Sequence, residues 1–264
     1  MSALHIRNLQ HKYALTEVLS QINLDLLAGE TLALVGPSGC GKSTLLHIIA
    51  GLLTPTEALI ENQFRGMACM FQEPRLLPWK TAEDNIGLGL KALNIPKQAR
   101  RQQARDIATT LGLTLKDLDK YPHELSGGMQ SRIALGRALI IKPNLLLLDE
   151  PFSALDIGLK LELYSLLRQH ITERSTAVLM ITHDLMEAVR LADRILMMVP
   201  EPGRLLGEFV ITRPHSTRTD SWIYQKTAEL MANEQVRIGF GLSAGNLALN
   251  QASHTHKQHV GCAL

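Results

Sequence analysis

The chain has 264 residues and a formal net charge of +2, from 27 Lys and Arg against 25 Asp and Glu. That balance gives no electrostatic footprint for a phosphate backbone, and aromatics at 4% leave few platforms for stacked bases, so nucleic acid is excluded as the expected ligand. A hydrophobic content of 45% is enough for the core of one large α/β domain or two smaller ones.

The first residues, Met1-Ser-Ala-Leu-His-Ile-Arg7, alternate like a strand and lack the basic and apolar regions of a secretory signal, which predicts a cytosolic chain. Leu4, Ile6 and Leu9, then Ile22, Leu24 and Leu26, repeat with period two and predict an antiparallel layer; Ala28-Gly29-Glu30 turns the chain into an apolar strand, Thr31 to Val35.

Gly36-Pro37-Ser38-Gly39-Cys40-Gly41-Lys42-Ser43-Thr44 follows, filling every fixed position of a phosphate-binding loop. Leu45 to Ala50 suits a helix opening at Lys42. Glycines at 36, 39 and 41 let consecutive N–H groups point at one anion, where a helix N-terminus already favours negative charge. Lys42 is expected to reach the β- and γ-phosphates, the Ser43 hydroxyl to take one position on Mg²⁺, and Thr44 to reach the α-phosphate side. The competing reading is a Gly-rich turn that only resembles the pattern. The most apolar stretch, Leu45 to Ile60, is interrupted by His47, Pro55 and Glu57 and falls short of the roughly 20 residues of a membrane span.

Met67 to Phe71, Leu145 to Leu148, Ala177 to Ile181 and Ile195 to Val199 read as fully buried strands separated by helical patterns, hence a mostly parallel sheet. Between Thr81 and Leu125 the pattern is helical, and the basic run Lys97 to Arg105 is read as a solvated helix face rather than a lipid contact. Pro202-Gly203 predicts a turn, Leu205 to Ile211 a strand, Ser221 to Ala232 a helix. The expected domain is therefore 1–235 with a helical insert at about 81–140, and 236–264 a disordered tail in which His254, His256, His259 and Cys262 make no metal site. Cys40, Cys69 and Cys262 show no metal or redox spacing and are expected as reduced thiols.

Two further motifs carry chemistry. Asp149 and Glu150 end a buried strand, where ligands collect in open α/β sheets. Asp149 is expected to hold Mg²⁺ through its water shell, and Glu150 to polarise the water attacking the γ-phosphate; a helix cap with Pro151 in the first turn is the alternative. Ser126-Gly127-Gly128 opens another helix with exposed N–H groups, either a second anion site or a well-capped helix start.

The order of these motifs, with Gln72, Ser153-Ala-Leu-Asp156 and His183, resembles the ATP-binding subunits of ABC transporters over roughly residues 3–215. The resemblance implies a phosphate-loop α/β core with a mostly parallel sheet, an N-terminal antiparallel layer and a helical insert. It also implies an ATPase using ATP and Mg²⁺, in which two copies pair head to tail and each ATP lies between the loop of one and Ser126-Gly127-Gly128 of the other. Tyr13 matches the residue that stacks on adenine, Gln72 the one that joins Mg²⁺ and attacking water to a transmembrane partner, Asp156 the acid crossing the dimer interface, and His183 the γ-phosphate ligand that orders the water. Implied partners are a second copy, permease subunits and, indirectly, a solute-binding protein, with the chain peripheral on the cytoplasmic face of the membrane.

Phe71 to Trp79, with Met129, resembles the branch serving nitrate, sulfonate, taurine and thiamine-precursor importers. Leu76, Leu77, Pro78 and Trp79 then form an apolar lip for a permease helix, although Leu76 and Leu77 suit a buried core equally. The stretch 53–67 is short for the family and carries Glu57-Ala58, which predicts an abbreviated hairpin. A soluble ABC-type ATPase without a membrane partner is the alternative function; a single loop and the lack of any heptad run weigh against its translation and repair types. No Asn-Lys-x-Asp guanine motif is present.

Overall fold

Alternating burial builds the first layer. In the computed structural model, which describes residues 2–242, β1 (Ala3–Tyr13) and β2 (Thr16–Leu27) pair antiparallel with Leu4 opposite Leu26, Ile6 opposite Leu24 and Leu9 opposite Ile22. This register puts all six apolar side chains on one buried face. β3 (Thr31–Val35) is buried at every residue and runs through the loop into α1 (Lys42–Ile49). The short segment after α1 supplies one strand to this layer rather than a hairpin: β4 (Glu57–Asn62) completes the sheet in the order β2-β1-β4, and β5 (Met67–Met70) already belongs to a second sheet.

Helices follow, as the charged sequence requires: α2 (Ala82–Ile86), α3 (Leu88–Ala92), α4 (Lys97–Thr110), α5 (Leu115–Leu118) and α6 (Gly127–Leu139). They share a small core of Ala82, Ile86, Leu90, Ala104, Ala108 and Ile133. The basic run in α4 is more than a solvated face. Arg101 and Arg105 converge on the two oxygens of Glu83, at 2.9 and 2.7 Å, and the Glu83 side chain is only 8% exposed. A buried carboxylate needs such partners, so these two arginines pin α4 to α2.

The chain then alternates strand and helix: β6 (Leu145–Asp149), α7 (Ile157–Arg174), β7 (Ala177–Thr182), α8 (Leu185–Leu191), β8 (Arg194–Val199) and β9 (Arg204–Val210). The second sheet has the order β5-β6-β7-β3-β8-β9, parallel except for β9. Its strands are continuous apolar runs because both faces are covered. Leu32, Leu34, Leu145, Leu147 and Leu179 face α1 and the antiparallel layer. Ala33, Val35, Leu146, Leu148 and Met180 face Phe152, α7 and α8.

Past β9, α9 (Asp220–Ala232) packs Ile223 and Leu230 against this second core, and α10 (Glu234–Gly239) adds Val236. The boundary expected at 235 is therefore corrected: the chain continues helical, with Val236 fully buried and Gly239 so close to the Met197 side chain that a Cβ there would overlap its sulfur. One buried valine and one tight glycine make too sparse a pattern for periodicity to reveal. The tail histidines and Cys262 lie outside the described residues. Val236→Asp is expected to lose about 3 kcal/mol of stability, read as a lower urea midpoint, because it buries an unpaired carboxylate; a loose tail beginning at this residue would tolerate the change.

Candidate nucleotide site

The loop is shaped by what presses on it. Gly39 and Gly41 take left-handed backbone, φ +81° and +94°, which a glycine adopts without a Cβ penalty. Gly36 has ordinary φ, but a Cβ there would overlap the Met198 carbonyl at the end of β8. Gly203 presses from the other side in the same way, against the carbonyl of Cys40. The Pro202-Gly203 turn, read from sequence as mere punctuation, thus backs the loop. Pro37, Ser38 and Cys40 fill the positions between, with Cys40 buried and Ser38 exposed.

Lys42 opens α1 with 7% of its surface exposed. Its ammonium donates to the carbonyls of Gly36 and Pro37, both at 2.8 Å, and lies 3.6 Å from the Cys40 sulfur. No carboxylate is within ion-pair distance of it among the described residues, so a nearly buried positive charge has only loop carbonyls and a thiol as hydrogen-bonding partners, with the Asp149 charge acting from further off. Ser43 and Thr44, both half-buried, begin the same helix.

Asp149 ends β6, two strands from β3, and is 3% exposed. Burial pushes its carboxyl above the ordinary range, and the neighbouring Glu150 charge adds to the rise; hydrogen bonding from Ser43 and the charges of His47 and Lys42 oppose it. Ser43 and Asp149 thereby bring two hard oxygen donors together, the chemistry that suits Mg²⁺. His47, one turn into α1, escaped the sequence reading because a helix-interior histidine carries no motif.

Glu150 turns the chain sharply, with φ +47°, a left-handed conformation that costs a non-glycine residue about 1–2 kcal/mol. Its N–H donates to the Ile181 carbonyl at 3.0 Å. One carboxylate oxygen lies 3.2 Å from His183 Nδ1 and the other accepts from Gln72 Nε2 at 3.4 Å. Three segments, after β5, β6 and β7, converge there. Gln72 meets Glu150, not Asp149. Tyr13 is half exposed at the end of β1, edge-on to His11 at 4.7 Å between ring centroids.

A second group forms elsewhere. Ser126 caps α6, its hydroxyl accepting from Met129 N–H at 3.3 Å, and Gly127 is open to its surroundings while Gly128 lies against Leu155 and the Ala154 carbonyl. Asp156 caps α7, accepting from Leu159 N–H at 3.0 Å. No hydrogen bond or ion pair joins this group to the loop among the described residues. In the apolar lip, Leu76 packs into the core and Trp79 is 69% exposed, so the two readings divide between them.

A strand entering a tight anion-shaped loop, with an acidic strand end two strands across the sheet, defines a phosphate-loop nucleotide hydrolase. Within that class the profile of the ABC transporter family matches residues 19–153, and the chain belongs to that family as an ATP-binding subunit, an ATPase. It is 42% identical over 218 residues to aliphatic sulfonates import ATP-binding protein SsuB 3 of Pseudomonas savastanoi pv. phaseolicola, covering 80% of this chain and 77% of that one. The corresponding protein of Corynebacterium glutamicum is 39% identical over 226 residues, 86% and 91% of the two chains. Among solved structures, the ATP-binding cassette MJ0796 in a dimeric post-hydrolysis state bound to ADP and Pi aligns with TM-score 0.72 and 27% identity, over 80% of this chain and all of that one. None of the described helices is long and apolar enough to cross a membrane.

Asp149→Asn is expected to raise the Tm of the nucleotide-free protein by a few degrees at neutral pH while abolishing any Mg²⁺-dependent gain in ATP affinity. A folded-state pKa raised above 3.8 means that the wild type loses stability as pH climbs past that value, so the variant's advantage vanishes below it.

Proposed function

We propose that two copies of this chain close on two ATP molecules, each bound by Gly36 to Thr44 of one copy and by Ser126, Gly127 and Gly128 of the other, and that hydrolysis drives uptake of a small solute through a separate membrane permease. The observation that carries the catalytic part is the left-handed Glu150 held between His183 and Gln72. Glu150 accepts a proton from the attacking water, His183 and Gln72 fix where that water stands, and Lys42 moves its bonds from loop carbonyls to β- and γ-phosphate oxygens. Asp149 and Ser43, with Gln72, would hold Mg²⁺, which when bound neutralises charge on the transferred phosphoryl oxygens. Tyr13 offers its exposed face to adenine, and Asp156 meets the partner copy.

The solute is proposed to be a sulfonate or a related small anion, by likeness to the sulfonate-import relatives. Docking of the permease is proposed at Trp79 and the adjoining cleft of about 230 Å³, lined by Lys80, Asp84, Leu88, Lys97 and Arg101, which suits an amphipathic segment. That places the chain on the cytoplasmic face of the membrane, peripherally.

Glu150→Gln tests the reading. Charge removal is expected to leave ATP affinity within about twofold of wild type, to lower turnover by roughly 10²- to 10³-fold, and to shift the protein to a dimer with ATP in size-exclusion chromatography. Undiminished turnover rejects the role. Lys42→Ala is expected instead to weaken nucleotide binding itself, measured by titration calorimetry.

A further inference from the structure

Between the end of β5 and the start of α2 the chain crosses from the sheet to the helical insert, carrying Gln72 at one end and Trp79 near the other. Among the described residues, no backbone-to-backbone hydrogen bond is made by Gln72 to Leu76. Exposed backbone without a ladder is free to wander unless side chains hold it.

Two side chains do. Arg137, on the third turn of α6, forks its guanidinium over two successive carbonyls, Nη2 to Pro74 at 2.7 Å and Nη1 to Arg75 at 2.9 Å. Asn85, fully buried in α2, accepts from Leu77 N–H at 2.8 Å and shares its two amide hydrogens among the carbonyls of Leu77, Lys80 and Thr81, 3.2, 3.1 and 3.0 Å from Nδ2. Together they contact six backbone groups of one loop. Arg75 is in left-handed backbone, φ +43°, and lays its own guanidinium 4.6 Å from the centre of the Phe71 ring, next to Gln72. A left-handed arginine persists only where its surroundings over-determine it, and the Arg137 fork supplies that constraint.

We propose that Arg137 and Asn85 are positioning residues: they hold the loop 72–79 on the helical insert and so set where the Gln72 amide stands against Glu150. The proposal rests on Gln72 and Glu150 acting together as described above. Arg137 touches neither nucleotide nor water; it acts through the loop. A lysine keeps its charge but offers one compact ammonium in place of a fork, so Arg137→Lys removes the geometry selectively. Asn85→Asp accepts from Leu77 N–H but donates to none of the three carbonyls.

The experiment uses the full chain with MgATP. Arg137→Lys is expected to lower kcat roughly tenfold with KM for ATP within about twofold, since misplacing a positioned water affects the transition state more than binding. Amide hydrogen exchange at Leu77, whose N–H is bonded to Asn85, and at Lys80, whose N–H is bonded to the Leu77 carbonyl, is expected to accelerate roughly tenfold while α6 and the sheet strands keep their rates. Asn85→Asp repeats both effects. In a Gln72→Ala background, Arg137→Lys is expected to add nothing to the loss in kcat, because the two act as one unit.

Equal losses in kcat with and without Gln72, or unchanged exchange at Leu77 and Lys80, overturn the proposal. If Gln72→Ala alone leaves turnover intact, the assignment of Gln72 falls instead, and the exchange rates still decide whether Arg137 and Asn85 hold the loop. In a Trp222→Phe background, Trp79 fluorescence reports the same loop separately from activity: its quenching by acrylamide is expected to rise in both variants, and unchanged quenching counts against them.

Discussion

A lysine ammonium kept from water and hydrogen-bonded only to carbonyl oxygens and a thiol is the constraint on which the rest of this molecule turns. Such a charge is costly to bury, and dipoles compensate it only if they stay aimed. Aim comes from the scaffold. Gly36 is held against the Met198 carbonyl, Gly203 bears on Cys40, and Lys42 itself begins a helix whose apolar residues, Leu45, Leu46, Ile48 and Ile49, are sunk in the core beside β3. The five-residue strand that feeds the loop is buried on both faces, so neither end of the loop is free to relax. Rigid walls around a partly compensated cation make a place where a phosphate oxygen improves on what is already there.

The acidic side has the opposite character. Asp149 is buried with a raised pKa, and Glu150 stands beside it in a strained backbone conformation, so two carboxylates that repel are held within one residue of each other. Stability alone selects neither feature. Both are reasonable where a divalent cation and a water must be handled by separate acids, one deep and one reachable by His183 and Gln72.

Much of this was legible in the order of residues, for physical reasons. A parallel strand covered on both faces has to be an unbroken apolar run, so Leu145 to Leu148 and Ala177 to Ile181 announced themselves, and the glycine spacing of the loop follows from backbone geometry. What escaped was held by single side chains reaching across the fold. Arg101 and Arg105 look like any solvated pair until Glu83 is found beneath them. Arg137 and Asn85 bind carbonyls of a loop four to sixty-three residues away, and carbonyls carry no sequence signal. Val236 anchors α10 with one methyl-bearing side chain where periodicity needs several. The shortened stretch at 53–67 kept enough alternation for β4 but none to say that a hairpin had become one strand.

Ser126 and Glu150 belong to separate groups, yet the chain links them through a short turn. Glu150 accepts at its carbonyl from the Ser153 hydroxyl at 3.0 Å, and Leu155 N–H donates to the Phe152 carbonyl at 3.2 Å. Phe152 is fully buried, edge-on to Tyr164 at 4.9 Å, which fixes the turn from below. From its far end Leu155 lies against Gly128 at the start of α6, and Asp156 caps α7. Packed side chains transmit displacement because interiors are dense and poorly compressible. A ligand that draws on Ser126-Gly127-Gly128 therefore pulls on the same turn that holds Glu150 in its left-handed conformation, while Arg137, on the same helix, holds the Gln72 loop. The Glu150 carboxylate stands between two attachments to α6, one through Leu155 and one through Gln72, so its position is set by that helix as much as by the strand that carries it.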